Sequence, residues 1–489
     1  MYQTRYCQRM GTYKAIIVGT GFAGLLMGYR LKQAGIDDFI ILEKAESVGG
    51  TWRENTYPGA ECDVPSALYS YSFAPNPTWK FKWAKQPQIL EYIQDFVTEQ
   101  GLLEHIRFGV EVRGAVWDES KTCWHIQSTA GDTWDAQFFI PAIGQLHIPN
   151  TPDFAGRESF DGASFHTAQW DHSVDYSGKD MAIIGNAASA IQVIPEVAKD
   201  VAKLTIYQRS PNWIIPKKDR PYSRFEHWLL RKFPRFASAY RFNLWCQGEY
   251  MIWPTIKGNR FTRGLLKTWS KLGMRKHIKD AELRQRLTPD YPMGAKRILL
   301  SDKIFPALAR ENVELVFDTI QTFTPEGIQA GETRRSHDLV VFATGFETNP
   351  FLKMIDVRGQ GKQSLRQHWK DGAYAYLGVA TAGFPNMLMM YGPNTNTGHT
   401  SIIYKLEGQA NYILQVIQEA GEDAIVVDTQ AEVTYNEEVQ RRLGELAFSK
   451  IEKSWYKDGE RVTNNWMGSS REFRKRLRTP HLGHYHRLS

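Results

Sequence analysis

Two glycine turns, at Gly19 and Gly185, constrain this 489-residue chain more than any other feature. In the first, the apolar run Ala15-Ile16-Ile17-Val18 leads into Gly19-Thr20-Gly21-Phe22-Ala23-Gly24. A helical pattern continues through Leu31, and Phe39-Ile40-Ile41-Leu42 ends at Glu43. Strand, glycine turn, helix, strand and acid, in that order, build a dinucleotide-binding unit. Gly19 permits the tight turn, Gly21 lets a pyrophosphate approach the backbone, and Gly24 lets helix and strand pack closely. The second copy runs from Met181-Ala182-Ile183-Ile184 through Gly185-Asn186-Ala187-Ala188-Ser189-Ala190 to Leu204-Thr205-Ile206-Tyr207, then Gln208-Arg209-Ser210.

The two copies differ where recognition is decided. Gly19 to Glu43 and Gly185 to Arg209 are both 24 residues, so one structural position holds an acid in the first copy and a cation in the second. A carboxylate accepts hydrogen bonds from a ribose diol and repels a 2′-phosphate, whereas Arg binds that phosphate through paired charge-assisted bonds. The first unit therefore reads as an FAD site and the second as an NADPH site, with Asn186, Ser189 and Ser210 as further contacts of the second. Ala187 replaces the usual second glycine, and its methyl holds the pyrophosphate slightly further off.

The expected fold is α/β, with two Rossmann-like dinucleotide-binding domains and a helical insertion. Two more strand-to-glycine segments, Phe138 to Gly144 and Leu339 to Gly345, flank the second unit and mark the crossings between domains. This gives a discontinuous FAD domain at 1–145 and 340–489, an NADPH domain at 146–216 and 291–339, and an insertion at 217–290. Pro87 to Gly101 reads as a helix with Ile89, Ile93, Phe96 and Val97 on one face.

Charge is concentrated in the insertion. Of the net +7, the stretch from Pro216 to Asp290 carries +12 and the rest about −5. Basic residues interleaved with Trp228, Trp245, Trp253 and Trp269 fit nucleic acid or a membrane surface. Apolar positions such as Phe225, Trp228 and Leu229 recur at helical spacing, so the segment is read instead as amphipathic helices with a solvated basic face. No stretch approaches the roughly 18 apolar residues of a membrane span. Met1 to Lys14 lacks the apolar core of a signal peptide. A cytoplasmic location is expected, with at most weak association with a membrane surface. Cys7, Cys62, Cys123 and Cys246 form no CxxC pair, which argues against a disulfide framework, a metal site and a dithiol redox centre.

Two longer motifs carry a resemblance. Gly49-Gly50-Thr51-Trp52, four residues, then Tyr57-Pro58-Gly59-Ala60-Glu61-Cys62-Asp63 fits GGxWxxxx(Y/F)PGxxxD, and Phe160 to Asp171 fits FxGxxxHxxxW followed by D. With the two glycine turns, these motifs resemble those of type I Baeyer–Villiger monooxygenases, from Tyr13 to the C-terminal region. Trp466-Met467-Gly468 departs from the expected W-P-G. The resemblance implies an FAD- and NADPH-dependent enzyme that uses O2, by way of a C4a-peroxyflavin, to convert a ketone into an ester or lactone. Redox chemistry then belongs to the flavin, and the protein supplies binding and electrostatics.

By that resemblance Arg297, in Tyr291-Pro292-Met293-Gly294-Ala295-Lys296-Arg297, is the active-site cation and Asp63 the carboxylate that orients it. Lys296 points the other way, to the 2′-phosphate, since neighbours in an extended segment project to opposite sides. Gly50, Thr51, Trp52, Tyr57, Asp63 and Asn394 complete the expected cofactor contacts, His166 couples NADPH binding to domain rearrangement, and the helix from Ile402 aims its N-terminus at the flavin. Trp170 stands where N- and S-oxidising relatives carry Tyr or Phe. The alternatives are such an N- or S-oxidising enzyme, or an FAD/NADPH flavoprotein that does not oxygenate. Expected partners are a small ketone and O2, no nucleic acid, and a monomer or small homo-oligomer.

Overall fold

The computed structural model describes residues 12–349, 351–451 and 456–488. Both glycine-turn units form as expected, and each seeds its own sheet. Tyr13–Val18, Phe22–Gln33 and Phe39–Leu42 make the first strand, helix and strand. Asp180–Ile184, Ala190–Val197 and Lys203–Tyr207 make the second.

The first sheet has seven strands, in the order Asp356–Arg358, Val112–Asp118, Cys123–Ser128, Thr133–Pro141, Tyr13–Val18, Phe39–Leu42 and Ile106–Arg107. Cys123–Ser128 pairs antiparallel with both its neighbours, and the other pairs are parallel. The second sheet has five parallel strands, in the order Val313–Val316, Lys203–Tyr207, Asp180–Ile184, Leu339–Phe342 and Ala163–His166. Its central strands are continuous apolar runs because both faces are covered. The Ala190–Val197 helix packs on one face, and the hairpins formed by Ile320–Thr324, Gly327–Ala330 and Thr333–Ser336 pack on the other.

Leu339–Phe342 belongs to this second sheet, so a boundary at residue 340 would cut a strand; the chain leaves the sheet only after Phe342. The Gln86–Glu99 helix begins with Pro87 near its start, buries Ile89, Ile93, Phe96 and Val97, and is followed by Gly101 at φ +59°.

The insertion leaves and returns through the short strands Ile214–Ile215 and Leu299–Leu300, which pair in parallel. Between them lie helices Arg224–Lys232, Pro234–Gln247, Trp253–Ile256, Arg260–His277 and Ala281–Arg286. Trp245 and Ile256 join the first core, while Leu266 packs with Trp213, Met293 and Ile298. Here one expectation fails. The segment reads as amphipathic helices whose basic face is the solvated one, yet the apolar Phe225 and Trp228 are themselves 66% and 51% exposed. Periodicity identifies a helix and its stripe, but not which side the rest of the protein covers. No helix among the described residues is long and apolar enough to cross a membrane.

Candidate active site

The two glycine turns are built alike. Gly19 N–H donates to Leu42 O at 2.8 Å, and Gly185 N–H donates to Tyr207 O at 2.9 Å. Both glycines have positive φ, +107° and +114°, which side chains rarely adopt. A Cβ on Gly19 would lie 2.9 Å from Ala142 O, and one on Gly185 2.4 Å from Ala343 O. In each case the obstacle is the end of a strand-to-glycine segment marking a crossing, Phe138 to Gly144 for Gly19 and Leu339 to Gly345 for Gly185. Gly24 lies in the first turn of the helix, facing the strand end, where a Cβ would meet Gly19 O at 1.9 Å. Only glycine fits there.

Both turns open on one cavity of about 1160 Å³, larger than a pocket for a single small ligand. Gly21, Gly50, Thr51 and Trp52 line it on the first side, and Asn186, Ser189, Arg209 and Ser210 on the second. Gly50, at φ +50°, brings its backbone so near Gly21 that a Cβ would sit 3.1 Å from Gly21 Cα. Between the two sides runs the loop from Tyr57 to Asp63. Tyr57 Oη donates to Gln192 Oε1 at 2.8 Å, and Gln192 Nε2 donates back to Glu61 O at 3.0 Å. A Cβ on Gly59 would meet Gln192 O at 2.4 Å, which is why the first long motif needs glycine at that position. Burial pushes the Tyr57 phenol up to about 12, so it stays a donor.

Glu43 is buried and its carboxylate is held in place. Thr20 donates to Oε2 from its amide at 2.9 Å and from its hydroxyl at 2.6 Å, and Ala45 N–H donates to Oε1 at 3.0 Å. Thr20 was not anticipated from the sequence; a hydroxyl between the first two glycines is the signal that could have found it. His147 lines the same side, and burial, with nearby Lys44, pushes its imidazole down to about 4, leaving it neutral.

The second side is electropositive. Lys296 Nζ donates to Ser210 Oγ at 3.1 Å. Burial and then Arg209 lower the Lys296 ammonium below its ordinary range. Among the described residues, neither Arg209 nor Lys296 forms an ion pair. Two unneutralised cations sharing one pocket with a hydroxyl have the chemistry of a phosphate site. Asn186 Nδ2 donates to Gln208 Oε1 at 3.1 Å and to Ser210 O at 2.8 Å, fixing the loop that carries the pocket.

Arg297 leaves the chain on the opposite side from Lys296. Its Nε and Nη2 donate to Asp63 Oδ2 and Oδ1 at 2.5 and 2.8 Å, a bidentate clamp, and Nη1 donates to Thr397 O at 3.3 Å. About a quarter of each partner's side chain remains exposed, and both line the cavity. Burial disfavours both charges, but each partner outweighs that for the other. Asp63 is held below the ordinary carboxylate range and Arg297 above the ordinary guanidinium range. The cation is permanent.

The C-terminal loop closes the cavity differently from expectation. Asn394 does not line it. Its buried amide donates to Val462 O at 2.7 Å and Asn465 O at 3.1 Å, tying the loop to the C-terminal segment. The lining positions are Tyr391, Asn396, Thr397 and Thr400, with Tyr391 Oη donating to Asn396 Oδ1 at 2.9 Å. His399 is buried against Ser470 and Glu249. Ser401 caps the Ile402–Ala420 helix, and Ile402 and Leu406 reach the cavity. His166 ends the strand paired with Phe342, and its Nδ1 accepts from Ala168 N–H at 3.0 Å. Trp170 is buried edge-on to Phe165 at 5.2 Å.

Two dinucleotide turns, one shared cavity and a fixed cation at their junction define a two-dinucleotide flavoprotein oxidoreductase. Residues 16–242 match the family model described as pyridine nucleotide-disulphide oxidoreductase. Among the described residues Cys62, Cys123 and Cys246 are free thiols. A Baeyer–Villiger monooxygenase of Pseudomonas aeruginosa is 40% identical over 97% of this chain and 91% of its own length. One of Streptomyces coelicolor is 38% identical over 96% and 92%. The crystal structure of OTEMO in complex with FAD and NADP superposes with a TM-score of 0.88 at 26% identity, covering 97% of this chain and 99% of that one. The chain belongs to the Baeyer–Villiger monooxygenase family: it is an FAD- and NADPH-dependent enzyme that places one oxygen atom of O2 beside a ketone carbonyl.

Proposed function

We propose that the seven-stranded sheet holds FAD, that the five-stranded sheet holds NADPH, and that Arg297, oriented by Asp63, is the catalytic cation. FAD, once reduced by NADPH, supplies the activation of O2. On the FAD side, Gly19 and Gly21 admit the pyrophosphate, and Glu43, locked by Thr20, receives the ribose hydroxyls. Gly50, Thr51, Trp52 and Tyr57 wall the flavin end. On the NADPH side, Gly185, Asn186 and Ser189 form the turn, and Arg209, Ser210 and Lys296 grip the 2′-phosphate. The FAD unit is then discontinuous, resuming after Phe342.

Arg297 stabilises the negative charge that develops on the ketone oxygen as the carbon–oxygen bond forms. A preorganised cation in a site shielded from water does this without reorganisation. A lysine in its place could lose its proton in such a pocket, whereas Arg keeps its charge. The observation that carries the reading is the bidentate Asp63–Arg297 clamp, with its uncovered edge in the cavity shared by both turns. Loss of the guanidinium leaves both dinucleotide turns intact, so Arg297→Ala is expected to retain FAD and bind NADPH. Ester formation should fall by about 10²–10³ or more. Asp63→Ala should fall less, because the cation survives. The measurement is ketone turnover with mass analysis of the product. Ester made by Arg297→Ala at the parental rate would overturn the assignment, and amine or sulfide oxide as the only oxygenated product of the parental enzyme would favour heteroatom oxidation.

A further inference from the structure

The Arg260–His277 helix has two faces with opposite burial and an unusual charge. Leu266, Ser270 and Met274 are buried, and Leu266 packs with Ile298, next in sequence to Arg297. On the far side Phe261, Leu265 and Leu272 are 79%, 51% and 58% exposed. At 3.6 residues per turn these three fall in one row with Thr268. Lys271 and Arg275 flank that row on one side and Lys276 on the other, all exposed. The helix carries six Lys and Arg and no Asp or Glu. The nearest acids in sequence, Asp280 and Glu282, belong to the next helix, where Arg284 and Arg286 accompany them.

A solvent-facing apolar row bordered by cations is not what a solvated surface helix needs. Exposed large side chains are normal singly, whereas an aligned row marks a contact surface. Phe225 and Trp228, stacked at 5.7 Å, and Phe242 are exposed on other helices of the same insertion. We propose that the Arg260–His277 helix is an interfacial element that rests on an anionic lipid bilayer, its apolar row entering the headgroup region and its cations meeting lipid phosphates. A nucleic-acid groove would leave Phe261, Leu265 and Leu272 uncompensated. A protein partner would have to match an apolar row with carboxylates on both flanks, while an anionic bilayer offers both layers of chemistry at once. The insertion then brings the wall that carries Arg297 close to the phase into which apolar ketones partition.

The test is flotation of the FAD-loaded, full-length enzyme with phosphatidylcholine vesicles, with and without phosphatidylglycerol. The parental enzyme should float with the anionic vesicles only, and less as salt rises. Phe261→Ser/Leu265→Ser/Leu272→Ser should lower partitioning by about tenfold or more, since each loses buried apolar area at the interface. Lys271→Glu/Arg275→Glu/Lys276→Glu should remove the preference for phosphatidylglycerol. Both variants should stay yellow and oxidise NADPH at the parental rate, which separates lost docking from lost folding. Parental enzyme that stays unbound with anionic vesicles, or a serine variant that floats equally well, would overturn the proposal. So would a parental dimer, seen by sedimentation velocity, that the serine variant splits, since the row would then belong to a second copy.

Discussion

The two glycine turns share a backbone and diverge in everything that touches a ligand. In the first, the helix is entered at Phe22, directly after Gly21, and Gly24 allows the strand to press against it. In the second, Ala187 to Ser189 form an open turn before a shorter helix begins at Ala190. Methyl groups, those of Ala187 and Ala190, stand at two of the three positions where the first unit has glycine. Glu43 is buried and locked by four donors, three from Thr20 and Ala45 and one from Arg53, with which it also forms an ion pair. Arg209 is exposed and Lys296 only half-buried, and among the described residues neither has a carboxylate partner. A preset, enclosed acceptor suits a ligand that stays bound. A looser turn with waiting cations suits one that arrives and leaves in each catalytic cycle. Ordering those cations then happens on binding, so affinity is traded for exchange.

The sharpest way to break this contrast is to place one valine in each turn. Gly21→Val should give a colourless protein that does not recover the flavin absorbance when FAD is added. Ala187→Val should stay yellow and raise the NADPH KM, by an overpacking cost of about 1–3 kcal/mol. Equal loss of flavin in both would erase the distinction. Next in size, Arg209→Ala and Lys296→Ala should each remove a charge-assisted contact of roughly 1.5–3 kcal/mol from NADPH and none from NADH. The ratio of kcat/KM for the two nicotinamides reads this directly, and an unchanged ratio would detach the pocket from the 2′-phosphate. A pH series sharpens the same point. Lys296 is displaced downward, so NADPH preference should fade as pH rises toward a value below that of an ordinary lysine. Arg209→Ala should shift that fading upward, because the repelling charge is gone. Smallest of all, Ala187→Gly should lower the NADPH KM a few-fold, and an unchanged KM would mean the methyl does not touch the pyrophosphate.

The paired strands and turns were readable because apolar runs, glycine and a final acid or base are local signals. Equal spacing did not give an equal position, however: Leu42 and Tyr207 correspond, each accepting from its turn glycine, so Glu43 matches Gln208, and Arg209 lies one residue further on because the second connection is one residue shorter. The Asp63–Arg297 clamp was not readable that way. Its partners are far apart in the chain and meet only because the Tyr57–Asp63 loop is fastened to Gln192. Motif resemblance supplied that pair. Asn394 shows the opposite outcome: a motif residue whose amide is consumed by Val462 and Asn465, leaving cavity contact to Asn396 and Thr397. Side-chain direction in a positive-φ loop, φ +57° at Asn394, does not follow from sequence order. The helices of the insertion were located by their period, but the exposed side of Phe225 and Trp228 depends on which neighbours exist.

The core that joins the Phe22–Gln33 helix to the Ile402–Ala420 helix has a consequence for biosynthesis. At about 5–20 residues per second, a ribosome needs tens of seconds to pass from one helix to the other. During that interval Leu25, Leu26 and Leu31, fully buried in the finished protein, lack one of their covers. The five-stranded sheet draws all its strands from residues 163–342 and is free to fold first. The first turn to be translated is therefore the last to be completed. Until then its nascent apolar surface is the part of the chain most open to aggregation.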